Sequence, residues 1–244
     1  MKKTSVSKEY SAAEGGKNLF TQPRKDFLHN PKFYFAGQCS ANRYLFFSVY
    51  LYKKSVPKKL PLGLQDFRGI ISDGYKYVDK TRYIHEMATS GKYFFLSRPR
   101  RFGKSITIST LHELFGGSHE LFQGLWIEDK WDWKKKHPIL RISFTAIGFQ
   151  SLGLRAALDQ ELRLIAKQHG IQLETQGLAS LFRELIATLA AQGARTVVLI
   201  DEYDAPIIHY LGTNLDQAKE NREILREFYS VLKDSDTLLE FVFL

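Results

Sequence analysis

The sequence predicts a three-layer α/β P-loop domain with a mostly parallel sheet, preceded by a basic, poorly ordered N-terminal extension. Three observations carry that prediction. From about residue 60 onward, apolar strands alternate with amphipathic helices. A loop ending in Gly103-Lys104-Ser105 joins one such strand to the helix after it. About 100 residues later another apolar strand ends in two adjacent carboxylates, Asp201 and Glu202.

The bulk properties suit a folded core, with 44% hydrophobic and 14% aromatic residues in a chain of 244. The apolar run at 44–52 is about half the ~20 residues that a membrane-spanning helix needs, and it reads as a strand. It lies too far from Met1 to be the core of a secretory signal, so a cytoplasmic location without membrane attachment is expected. Cys39 stands alone and excludes an internal disulfide framework. The net charge of +9 is not spread evenly: residues 1–60 hold 12 Lys and Arg against three acids, leaving 23 of each sign in the remainder. The basic character therefore belongs to the extension, and the pI of the putative domain carries no message about polyanionic partners.

Residues 1–59 carry Ser, Gly, Asn and Lys without a sustained period and read as the extension; residues 60–244 read as the domain. Within the domain, residues 83–90 predict a short helix closed by Gly91, and 93–96 a fully buried strand. A helix follows over 105–115, stopped by Gly116-Gly117, then a strand over 139–144. Helices at 154–168 and 178–191 each run out to a glycine, Gly170 and Gly193. Residues 196–200 predict a β-branched strand, 214–233 a helix, and 241–244 one more strand.

The loop Arg98-Pro99-Arg100-Arg101-Phe102-Gly103-Lys104-Ser105 follows a strand and opens a helix, so that N–H groups and the positive helix end can converge on a phosphate. In that geometry Lys104 reaches the β- and γ-phosphates of ATP and the Ser105 hydroxyl ligates Mg²⁺, with Ile106 closing the nucleotide-binding segment. Arg98 stands where the motif has its first glycine, and Pro99 offers no N–H, so Arg100 and Arg101 are expected to compensate by charge. At the other strand, Asp201 is expected to hold Mg²⁺ and Glu202 to orient and activate the attacking water, with alternation sending the two side chains to opposite faces. A glycine-lysine-serine before a helix is alone a weak signal; paired with an acid-ended strand in an alternating chain it is a specific one.

With these residues in view, the chain over about 60–244 resembles the bacterial AAA-ATPase-like proteins. The likeness rests on Leu62-Gly63-Leu64-Gln65-Asp66-Phe67, Tyr77-Val78-Asp79-Lys80-Thr81, the Arg98–Ser105 loop with Phe95-Leu96-Ser97 before it, and Ile200-Asp201-Glu202-Tyr203-Asp204-Ala205-Pro206. The resemblance implies that Arg98 is a normal variant. It implies a core with an added strand between those of the two phosphate motifs, here at 241–244. It also implies a sensor threonine, further elements and often a nuclease-like C-terminal domain, all beyond the last residue of this chain. Hydrolysis is thus expected of the full family pattern, and nucleotide binding of the part in hand.

Thr81 is expected either to cap a helix or to serve structure near the nucleotide, and Tyr203, Asp204 and Pro206 either to approach the γ-phosphate or to turn the chain. Arg222 and Arg226 are expected to pair with Glu223 and Glu227. The six histidines from His85 to His209 show no metal-like spacing. Two other readings stand beside the ATPase: a nucleic-acid-binding module gripping phosphates with the basic extension, and a gene fragment. A homo-oligomer and the choice between ATP and GTP stay open.

Overall fold

The computed structural model describes residues 33–38, 44–49, 58–97 and 102–244. The chain divides into two units, Met1–Val56 and Pro57–Leu244. In the first, β1 (Phe33–Gln38) and β2 (Tyr44–Val49) pair antiparallel, from Phe33 opposite Val49 to Gln38 opposite Tyr44. The strand expected within 44–52 is therefore present. Its partner was not foreseen, and the remainder of the extension, residues 58 and 59 apart, lies outside the described residues.

The second unit is built on a four-stranded sheet with order β3-β6-β5-β4, parallel throughout. Its strands are β3 (Tyr93–Phe94), β4 (Ile139–Ser143), β5 (Thr196–Asp201) and β6 (Leu239–Phe243). β5 is an unbroken apolar run because both of its faces are covered. Its alternation separates two cores. Val198 and Ile200 join α5 (Leu154–Gln168), α6 (Leu178–Ala191) and α8 (Leu215–Asp234) on one face. Val197 and Leu199 join α1 (Phe67–Ser72), α2 (Thr81–Ser90) and α3 (Lys104–Phe115) on the other. These are the three layers that the alternating sequence predicts. The first core is closed by Phe182 of α6 stacked on Phe228 of α8, with ring centroids 4.2 Å apart.

β6 lies between β3 and β5, the added-strand order that the resemblance implies. The strand expected at 93–96 is shorter and less buried than predicted. β3 is the sheet edge, so Tyr93 is 48% and Phe95 60% exposed, although Leu96 still donates its N–H to the Leu244 carbonyl at 2.8 Å. An apolar run does not reveal which of its faces will be covered.

Two short helices complete the unit, α4 (Phe149–Leu152) after β4 and α7 (Ala205–Ile208) after β5. Both sit at the strand ends where the chain turns toward the candidate site. No helix among the described residues is long and apolar enough to cross a membrane.

Candidate functional site

α3 begins where the loop from β3 ends. Gly103 occupies its N-cap at φ +79°, a left-handed conformation that a Cβ would strain, and an added Cβ would also lie 3.4 Å from Ile106 Cγ2. The first turn holds no acidic residue and no side-chain cap among the described residues. Its leading N–H groups, on Lys104, Ser105 and Ile106, thus have no partner one turn back in the helix, the arrangement that favours an anion. Arg98, Pro99, Arg100 and Arg101 lie outside the described residues.

β5 delivers the acids. Asp201 ends the strand, is 7% exposed, and accepts the Glu202 N–H on Oδ1 at 3.0 Å. Its carbonyl accepts the Phe144 N–H at 3.1 Å, which ties the end of β4 to the end of β5. Glu202 is already off the strand, at φ +52°, the one positive φ on a non-glycine among the described residues. The expected alternation is therefore not what separates the two acids. A left-handed turn of the backbone places Glu202, and both acids line one small cavity together with Lys104, under Leu96 and Phe243. That cavity has room for about one water.

Two larger clefts flank the start of α3. The more polar one, about 430 Å³, runs from Lys104 and Glu202 to Thr145, Gln150, Asp204 and His209, with Phe149 and Ile208 also in its lining. The apolar one, about 490 Å³, opens at Phe102, Gly103 and Ile106 and extends between α3 and α2. Ser105 lies half-buried in the first turn of α3, one residue after Lys104. Thr145 and Gln150 escaped the sequence reading, which weighed His209 only as a metal ligand. They enter the cleft only because β4 pairs with β5 and α7 folds back, and neither fact leaves a local signal.

The residues after Asp201-Glu202 divide by role. Asp204 lines the polar cleft, whereas Pro206 is buried at the start of α7 and its carbonyl accepts from Asn221 at 2.8 Å. Tyr203 packs edge-on against Phe95 at 5.0 Å, and burial, then the Asp204 charge, pushes its phenol up.

Two expectations are corrected. Thr81 is buried as the first residue of α2, and Asp79 does the capping: Oδ1 accepts from both the N–H and the hydroxyl of Thr81, and Oδ2 from the Trp126 N–H at 2.7 Å. A carboxylate two residues ahead reaches donors that the threonine hydroxyl cannot. Arg222 and Arg226 both approach Glu223, but Glu227 is held by Arg155 of α5 at 2.7 Å, since the α8 surface there faces a neighbouring helix. Spacing had also kept the histidines apart, yet His112, His137 and His169 line one cleft with Glu161 and Arg141. Burial, ahead of opposing charges, pulls the His112 imidazole down. No group of three or more metal-ligating side chains suited to an ion is present among the described residues.

Similarity to known proteins follows the same residues. An uncharacterized protein from the vnfD 5′ region of Azotobacter chroococcum mcd 1 is 45% identical over 190 residues, which span 77% of this chain and 37% of that protein. The chain therefore covers well under half of that relative. No solved structure matches. The profile of the family described as "Predicted AAA-ATPase" matches residues 61–244, which takes in the α3 loop, both acids and all four strands of the sheet. The chain belongs to this AAA-ATPase-like family.

Proposed function

We propose that this chain binds Mg-ATP at the C-terminal end of its parallel sheet and carries the groups for hydrolysing it. The observation that supports this is the meeting of Lys104, Asp201 and Glu202 around one cavity, although 97 positions separate the first from the second in sequence. In this reading the uncapped first turn of α3 receives the phosphates, with Lys104 neutralising the β- and γ-phosphate oxygens. Arg98, Pro99, Arg100, Arg101, Phe102 and Gly103 complete the phosphate loop in the same reading.

The donors suit magnesium: a serine hydroxyl at 105 and a carboxylate at 201 are hard oxygen ligands, and Mg²⁺ takes its remaining ligands from phosphates and water. When bound, the metal supplies charge that offsets the negative charge on the transferring phosphoryl group. Glu202 acts on the water. Its carboxylate accepts a proton as the water oxygen bonds to the γ-phosphorus, the bond to the bridging oxygen breaks, and ADP carries away that electron pair. The polar cleft beyond Lys104 gives the water its approach.

The test is a thermal-shift titration of the full chain with Mg-ATP. Saturating ligand should raise the melting temperature, because a ligand that binds only the folded state stabilises it. Lys104→Ala should abolish the rise, and Glu202→Gln should keep the rise while stopping phosphate release. A wild-type melt that Mg-ATP leaves unmoved refutes the reading.

A further inference from the structure

The sheet ends in β3 on one side and in β4 on the other, where β5 is the sole partner of β4 among the described residues. In a parallel pair each strand turns the N–H and C=O of alternate residues toward its neighbour. Pro138 accepts the Val197 N–H at 2.9 Å and Phe144 donates to the Asp201 carbonyl at 3.1 Å, so residues 138, 140, 142 and 144 face β5. Ile139, Arg141 and Ser143 therefore face outward. Of their backbone groups only the Ser143 carbonyl is engaged among the described residues, by the Ala146 N–H at 2.9 Å.

A cleft of about 390 Å³ lies along this edge. His112 of α3 forms one wall and Glu161, Ile165 and Gln168 of α5 the other, with Ile139 and Arg141 of β4 also in the lining. Leu140 and Ile142 are fully buried, which leaves Arg141 as the exposed side chain of the strand. Its charge is felt at Asp66 and at His112, on the α3 side, yet it has no ion-pair or hydrogen-bond partner among the described residues. Glu161, on the α5 side, has none either, and burial raises its carboxyl.

An edge with free N–H and C=O groups is a template for one more strand, whose backbone supplies affinity and whose alternate side chains supply specificity. Successive side chains of such a strand point to opposite faces, so one set meets Arg141 and the other meets Glu161. We propose that β4 receives an extended segment of a partner protein, with acids toward Arg141 and bases toward Glu161 at alternate positions. A second copy of this chain fits less well. β4 carries no acid, and antiparallel pairing of two β4 edges would bring Arg141 close to its own copy. None of this depends on nucleotide binding.

The test is a fluorescence-anisotropy titration of the full chain with the labelled, capped peptide Thr-Glu-Lys-Glu-Lys-Glu-Thr and with its analogue carrying Gln for every Glu. The glutamate peptide should bind about tenfold tighter. Arg141→Gln, a change at an exposed side chain, should erase that difference, and Glu161→Gln should weaken both peptides alike. Amide exchange read by NMR should slow at Ile139, Arg141 and Ser143 when the peptide binds, because those N–H groups gain partners. The proposal is overturned if the glutamate peptide does not bind at about 1 mM, if the two peptides bind alike to the wild type, or if a correctly melting Arg141→Gln chain keeps the preference. Protection that spares those amides overturns it too. So does slow exchange at the same amides that appears as the concentration of the chain alone rises, which would assign the edge to a second copy.

Discussion

The backbone at Glu202 allows a sharp test of whether the acid is held in place for chemistry. A residue with a Cβ in the left-handed region costs about 1–2 kcal/mol relative to the right-handed one, and glycine is free of that cost. Glycine in turn loses about 0.5–1 kcal/mol more backbone entropy on folding. At φ +52° the difference should therefore leave Glu202→Gly more stable than Glu202→Ala by about 0.5–1 kcal/mol, the reverse of the order at an ordinary helical position. Both substitutions delete the same carboxylate, so comparing them isolates the backbone. For a unit of this size the expected gap is about 1–4 °C in melting temperature, with matching urea midpoints. Neither variant should release phosphate from ATP. An alanine variant as stable as the glycine one would mean that the turn is not strained, and the inference that function holds it there would fail.

Two further substitutions probe the frame. Burial pushes the Glu113 carboxyl up, but hydrogen bonds from Arg68 and Ser118 and the Arg68 charge outweigh it and hold the group below its ordinary 4.5. A carboxyl depressed on folding stabilises the protein above the unfolded value and loses that contribution as pH falls through the folded one. Glu113→Gln should thus cost about 1–3 kcal/mol at pH 7 and flatten the loss of stability below about pH 4.5 in urea melts; parallel acid limbs for the two proteins would contradict this. Phe182→Ala removes one ring of the stack between α6 and α8 from a fully buried site and should cost about 3–5 kcal/mol by urea unfolding, with a loss under 1 kcal/mol contrary to the packing argument.

What the sequence made legible follows from how local each signal is. The helices at 154–168 and 178–191 appear with the bounds expected of them, because an apolar stripe ending at Gly170 or Gly193 states its limits within one segment. β5 was legible for the same reason, as an apolar β-branched run that stops at two acids. β3 was legible as a strand but not as an edge, since its exposure depends on which strand lies beyond it, a property of sheet order. The candidate site divides likewise. Lys104, Asp201 and Glu202 were found by motif, whereas Thr145, Gln150 and His209 share a cleft with Lys104 only through the pairing of β4 with β5 and the fold of α7.

The least local of the blocks explains why the motif residues can work together at all. α3 carries Lys104 and Ser105 at one end and is gripped along its length by the segment before it. Ser109 bridges Asp66 and the Phe67 N–H, and one turn later Glu113 accepts two hydrogen bonds from Arg68, at 3.0 and 2.7 Å. The opposite side of α3 packs on Val197 and Leu199 of β5, the strand that ends in Asp201. Sliding or rotation of α3 would break the bridges on one side and unpack the sheet on the other. The helix start and the strand end are thereby held in one register, and in the proposed reading, where both act on one phosphate, such a frame is needed because an ångström of looseness costs orders of magnitude in rate.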